Sequence, residues 1–130
     1  MEKYKSWIDR AKSSYELARS VVNNNVYFED RCFQIQQAAE KVLKGLLIYF
    51  GVEPEYTHNI GLILNELEKH VEITDDVKKA IKLTNYAVQT RYPGIYNEVT
   101  EDEYKEALII AKNCLDWVEK TIENKVNGKI

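Results

Sequence analysis

The stretch Arg31–Phe50, RCFQIQQAAEKVLKGLLIYF, constrains the fold more than any other part of the chain. Ile35, Ala39, Val42, Leu46 and Tyr49 recur at helical steps, and Cys32, Ala39, Leu43, Leu47 and Phe50 form a second stripe beside them. A surface helix carries one apolar stripe, whereas a helix apolar around most of its circumference is packed on most sides. Ala38, Ala39 and Gly45 carry almost no side chain, so a neighbouring helix can approach closely there. The polar remainder is a narrow strip of Gln34, Gln37, Lys41 and Lys44, with Gln36 and Glu40 at its edge. Such a strip faces either a specific partner or water, and periodicity alone allows both.

The rest of the chain reads as helices around this one. Helix one is expected over Glu2–Val22, with Tyr4, Trp7, Ile8, Ala11, Ala18, Val21 and Val22 inward and its serines on the surface. Asn23–Asn25 stops it, and Tyr27 and Phe28 are expected to pack the turn. Asp30 is the expected N-cap of the central helix, and Gly51 with Pro54 ends it. A short third helix, Ile60–His70, is capped by Thr57 or Asn59 and carries Leu62, Ile63 and Leu67 on its apolar face. Thr74 opens a fourth, with Val77, Ala80, Ile81, Leu83, Ala87 and Val88 inward; Pro93 forces its end near Thr90 or Arg91. Thr100 and Glu103 fit a capping box for a fifth helix reaching about Asn124. The expectation is one all-α domain over residues 1–130, an up-and-down four-helix bundle with an additional short helix.

Bulk properties narrow the function. A formal charge of −3 gives no general attraction to nucleic acid or anionic membrane. No apolar run is long enough to span a bilayer, and the charged N-terminus is no secretory signal, so a cytoplasmic location is expected. Cys32 and Cys114 both fall on apolar faces and read as buried free thiols. With two His and no Glu-x-x-His or His-Glu-x-x-His pattern, no metal is expected. A glycine-rich phosphate loop is absent as well, and no cofactor is expected.

Two places carry chemistry. Thr90–Tyr96, TRYPGIY, offers the Arg91 fork for phosphate and the rings of Tyr92 and Tyr96 for a base. Cations are favoured at helix C-termini anyway, so Arg91 also has a purely structural explanation. His58, in a loop, is placed for proton transfer near neutral pH or for orienting the third helix. Glu40 and Lys44, one turn apart, make a simple ion pair on spacing alone.

Trp7, Ala11, Cys32-Phe33, Gln36–Lys41, Lys44, Thr57-His58-Asn59, Thr90–Gly94, Ala107 and Ala111 together resemble the HEPN domain family. The resemblance covers nearly the whole chain. It implies a helical bundle like the substrate-binding subunits of nucleotidyltransferases, a homodimer, and a small nucleotidyltransferase as partner in a toxin–antitoxin-like pair. Candidate ligand-binding residues are Arg91, Tyr92, Tyr96, His58, Gln37, Glu40, Lys41 and Lys44. The nuclease branch of the family carries an Arg followed by four to six residues and a His. Here Tyr96, Asn97 and Glu98 stand where that His would follow Arg91. The expectation is therefore a nucleotide-binding or partner-binding module with no catalytic residues assigned. The alternatives are a metal-independent ribonuclease toxin using Arg91 with His58 or Tyr96, and a purely structural assembly subunit. RNA is not the favoured ligand.

Overall fold

In the structure, a computed structural model, residues 3–20, 25–89 and 98–128 are described, with the side chains of residues 88 and 89 set aside. Helix α1 covers Lys3–Arg19, α2 Phe28–Tyr49 and α3 Ile60–Leu67; α4 covers Asp75–Lys78. A 3-10 segment, Lys79–Asn85, continues α4 into α5, Tyr86–Gln89, and α6 covers Glu101–Val126. Among the described residues there is no strand. The architecture is an all-α up-and-down four-helix bundle, with α3 as the additional short helix.

Helix α2 is the centre of the bundle and touches α1, α6, α3, the 3-10 segment and α5. Its Ile35, Ala39, Val42, Leu43 and Leu46 are wholly buried, as the double stripe requires. At Gly45 α1 comes close: a Cβ built on it would lie 3.2 Å from the Trp7 Cβ. Helix α6 contributes Ala107, Ala111, Cys114, Leu115 and Val118 to the same core. Cys32 and Cys114 are free thiols with no exposed surface.

Several local expectations need correction. Helix α2 begins at Phe28 on Tyr27 as N-cap, so Asp30 lies inside its first turn rather than capping it. The start is set by a tertiary contact, the Phe28 ring against Tyr104 at 5.2 Å. Tyr27 itself is 67% exposed. Helix α3 stops at Leu67, with Ile60, Ile63, Leu64 and Leu67 buried and Leu62 outward. Asn59, not Thr57, caps it, accepting the Leu62 N–H at 3.4 Å. The fourth helix is α-helical only at its ends. Val77, Ala80 and Leu83 are buried at three-residue steps, which is the 3-10 period, and Ile81 turns out to solvent. Val21, Val22 and the expected end of this helix near Thr90 lie outside the described residues. Ser14 is buried rather than on the surface.

Other signals hold. Thr74 accepts the Val77 N–H, and Thr100 and Glu103 form the complete capping box. Gly51 has φ +82°, its N–H reaches the Ile48 carbonyl at 2.9 Å, and the Val52 N–H reaches Leu47 at 2.9 Å. This pair of bonds closes α2 as a Schellman motif and sends the chain back along the helix it has just left.

Candidate functional site

Gln36, Glu40 and Lys44 are four residues apart on α2 and so share one face. The loop that returns after Gly51 lays Thr57 and His58 against that face. Glu40 is the hub. Its Oε1 accepts from Gln36 Nε2 at 2.9 Å and lies 2.8 Å from His58 Nδ1. Its Oε2 accepts from Lys44 Nζ at 3.0 Å. Lys44 also donates to the Thr57 carbonyl at 2.7 Å, and Gln36 to the His58 carbonyl at 3.3 Å. Two backbone carbonyls and one imidazole of the loop are thus stitched to the helix. Gln37 extends the chain outward by donating to Gln36 Oε1 at 2.8 Å.

Burial alone would raise the Glu40 carboxyl, but the hydrogen bonds from His58, Lys44 and Gln36 outweigh it and hold the carboxyl below its ordinary range. Glu40 is therefore ionised at neutral pH. An ionised carboxylate only accepts, so His58 Nδ1 carries the hydrogen. That fixes the ring's orientation and leaves Nε2 on the side chain's open edge, 41% of which is exposed. The Glu40 side chain behind it is only 6% exposed. A carboxylate behind one ring nitrogen and solvent at the other is the arrangement of a histidine able to exchange protons or to receive a hydrogen bond from a ligand.

The structure brings together His58, Glu40, Lys44 and, through Gln36, Gln37. It does not bring Lys41 to them: Lys41 donates to Ser14 Oγ of α1 at 3.0 Å. The polar strip therefore divides, one part meeting the loop and one part meeting α1. Arg91, Tyr92 and Tyr96 lie outside the described residues. Sequence reasoning misses two residues here. Gln36 links the helix to the loop, and its four-residue spacing from Glu40 is the available signal. Tyr56 is 98% exposed with its ring 6.1 Å from that of His58; a lone loop tyrosine gives no sequence signal. On the other side of the loop, a hollow of about 110 Å³ is lined by Val52, Pro54, Thr57 and Ile63 among others. It is smaller than the ~300–1,000 Å³ of small-molecule pockets, and His58 does not line it. Among the described residues no group of three or more His, Cys, Asp or Glu is placed to hold a metal. No helix among them is long and apolar enough to cross a membrane.

Bundle and site together define a class: small helical domains in which a central helix presents a buried polar face to a returning loop. The chain belongs to the HEPN domain family, whose model matches residues 4–121. A crystal structure of TT1696 from Thermus thermophilus is similar, with a TM-score of 0.80 and 31% identity over 92% of this chain and 98% of that one. So is ST0689, described as an archaeal HEPN homologue, with a TM-score of 0.73 and 32% identity over 94% and 99%. A relative from Methanocaldococcus jannaschii named "Putative toxin MJ1304" is 25% identical over 96% of this chain and 91% of its own length.

Proposed function

We propose that this chain is the HEPN member of a toxin–antitoxin-type pair, a nucleotide-binding or partner-binding module acting with a small nucleotidyltransferase. The relative named as a toxin supports the first half of this reading. The observation that carries the binding role is the His58 ring, held from behind by buried Glu40 and open at its outer edge. A histidine needed only to orient α3 gains nothing from that open edge. Gln37, half-buried on the same helix and bonded to Gln36, extends that polar face outward. A two-fold dimer belongs to this reading, and light scattering on the purified chain tests it.

The test is a thermal-shift titration of the wild-type chain and His58→Ala with ATP and GTP. A ligand that binds the native state raises Tm as its concentration rises. A saturable rise for one nucleotide, lost in His58→Ala, supports the nucleotide reading. No rise with either nucleotide removes it and leaves partner capture, which co-purification with a co-expressed nucleotidyltransferase decides.

The free Nε2 edge also favours a second reading, a metal-independent ribonuclease with His58 as general base. Such cleavage leaves a cyclic phosphate end. RNA left intact by the purified protein, in chelator and without any antitoxin, counts against it.

A further inference from the structure

The hollow of about 110 Å³ lies where α2, the returning loop and α3 meet: Leu47 of α2, Val52 and Pro54 of the loop and Ile63 of α3 all line it. Leu47 and Ile63 are buried, so its floor is apolar and held by the core. Leu62 lines it too, and that residue is 47% exposed. The preceding residue, Gly61, has no side chain, and Ile81, 52% exposed, lies 3.9 Å from where a Gly61 Cβ would stand. Single apolar side chains at a surface need no explanation. These two flank the same gap at Gly61, and one of them borders a hollow with an apolar floor.

The charge around the hollow has one sign. Glu53, Glu55 and Glu66 line it, and no Lys, Arg or His does. Two of these carboxylates are answered from outside: Lys3 lies 3.2 Å from Glu53 and Lys69 3.0 Å from Glu66. Glu55 is exposed and has no ion pair or side-chain hydrogen bond among the described residues. An anion is opposed here, and a neutral apolar group would leave Glu55 to water alone. The volume is too small for a nucleotide. Floor and rim are satisfied together by an aliphatic stem that ends in a single cation. A lysine side chain is built that way: its methylenes lie along apolar surface while the ammonium stays at the wet edge.

We propose that this hollow docks a lysine of a protein partner, its stem on Leu47 and Ile63 and its ammonium at Glu55, with apolar neighbours of that lysine covering Leu62 and Ile81. A free amine would fill the hollow and leave Leu62 and Ile81 in water, so the occupant is a polypeptide. The proposal rests on the partner-binding half of the function proposed above, and not on the nucleotide half or on His58, which does not line the hollow.

The test follows the methyl resonances of Val52, Leu62 and Ile63 in the ¹³C-labelled wild-type chain. The probes are the blocked tripeptides Leu-Lys-Leu, Leu-norleucine-Leu and Leu-Glu-Leu, and n-butylamine, at matched ionic strength near neutral pH. The expected result is a saturable shift with the lysine peptide, several-fold weaker binding of the norleucine peptide and of butylamine, and no response to the glutamate peptide. Glu55→Gln should bind the lysine peptide about as weakly as wild type binds the norleucine one, with the norleucine peptide unaffected. Glu55 is exposed and unpaired among the described residues, so this variant keeps the fold. Methyls that no probe moves, equal binding of the lysine and norleucine or glutamate peptides, or full affinity in Glu55→Gln overturns the proposal. Butylamine as tight as the lysine peptide also overturns it, since the hollow is then a small-amine site. None of these arms uses a nucleotidyltransferase. A failed co-purification therefore removes the partner named above without touching the peptide result, and a failed peptide arm removes this site without deciding co-purification.

Discussion

Lys44 Nζ lies 3.0 Å from Glu40 Oε2, and the two side chains are only 7% and 6% exposed. A surface pair at this spacing would contribute little. This one is out of water and is the joint between helix and loop, so removing either partner leaves an uncompensated buried charge. Loss of one partner of such a pair costs about 3–5 kcal/mol. Lys44→Met should fall at the lower end, since Glu40 keeps His58 and Gln36. Glu40→Leu should fall at the upper end, since Lys44, His58 and Gln36 all lose their acceptor. Urea denaturation of both variants checks the order. A Glu40→Leu variant less damaged than Lys44→Met would remove Glu40 as the hub.

The same carboxyl makes stability depend on acid. Burial pushes its titration point up, but the donors His58, Lys44 and Gln36 outweigh burial and depress it below the ordinary 4.5. A group depressed in the native state stabilises fully above its unfolded value, and that contribution is lost as pH falls through the native value. Wild type should therefore lose stability below about pH 4 more steeply than Glu40→Gln. Parallel curves all the way down would show that Glu40 does not titrate differently in the folded chain.

The two thiols should be inert in the native state. Burial pushes Cys114 up to about 12, and burial with the charges of Glu103 and Glu29 pushes Cys32 to about 12. Thiolate, not thiol, is the nucleophile, and neither sulfur is accessible. A thiol reagent at pH 8 should label both only as fast as the protein opens, and both at once in denaturant. Rapid labelling of either one in the folded chain would contradict its placement in the core.

What sequence can show follows from the range of the forces involved. The Thr100–Glu103 capping box and the Gly51 turn are set by neighbours three or four residues away, and both are legible. The doubly striped α2 is legible because burial on all sides leaves few polar positions. Its start at Phe28 is not, because that depends on a ring on α6. The 3-10 segment reads as α-helix in sequence because steps of three and of 3.6 residues hardly differ over two turns. In the candidate site, Glu40–Lys44 is visible as a local pair, but its burial and the approach of His58 are tertiary facts. The burial of Arg31, 8% exposed, gives no signal either, since an arginine near a helix start reads as surface.

Gly45 tests the packing of α2 against α1. Within a helix, Ala is favoured over Gly by about 1 kcal/mol. A Cβ at Gly45, however, would lie 3.2 Å from Trp7 Cβ, 3.4 Å from Ile8 Cγ1 and 3.5 Å from the Tyr4 carbonyl oxygen. The contact with Trp7 is between Cβ atoms fixed to two helix backbones, so α1 itself must yield. Gly45→Ala should therefore change stability little, gain and crowding nearly cancelling. Gly45→Val adds two more carbons at the same place and should cost about 1–3 kcal/mol, the usual range for overpacking. Thermal unfolding of the two variants reads the difference directly. A Val variant as stable as wild type would mean that α1 is free to move off α2, and the close helix approach would then not be what selects glycine at this position.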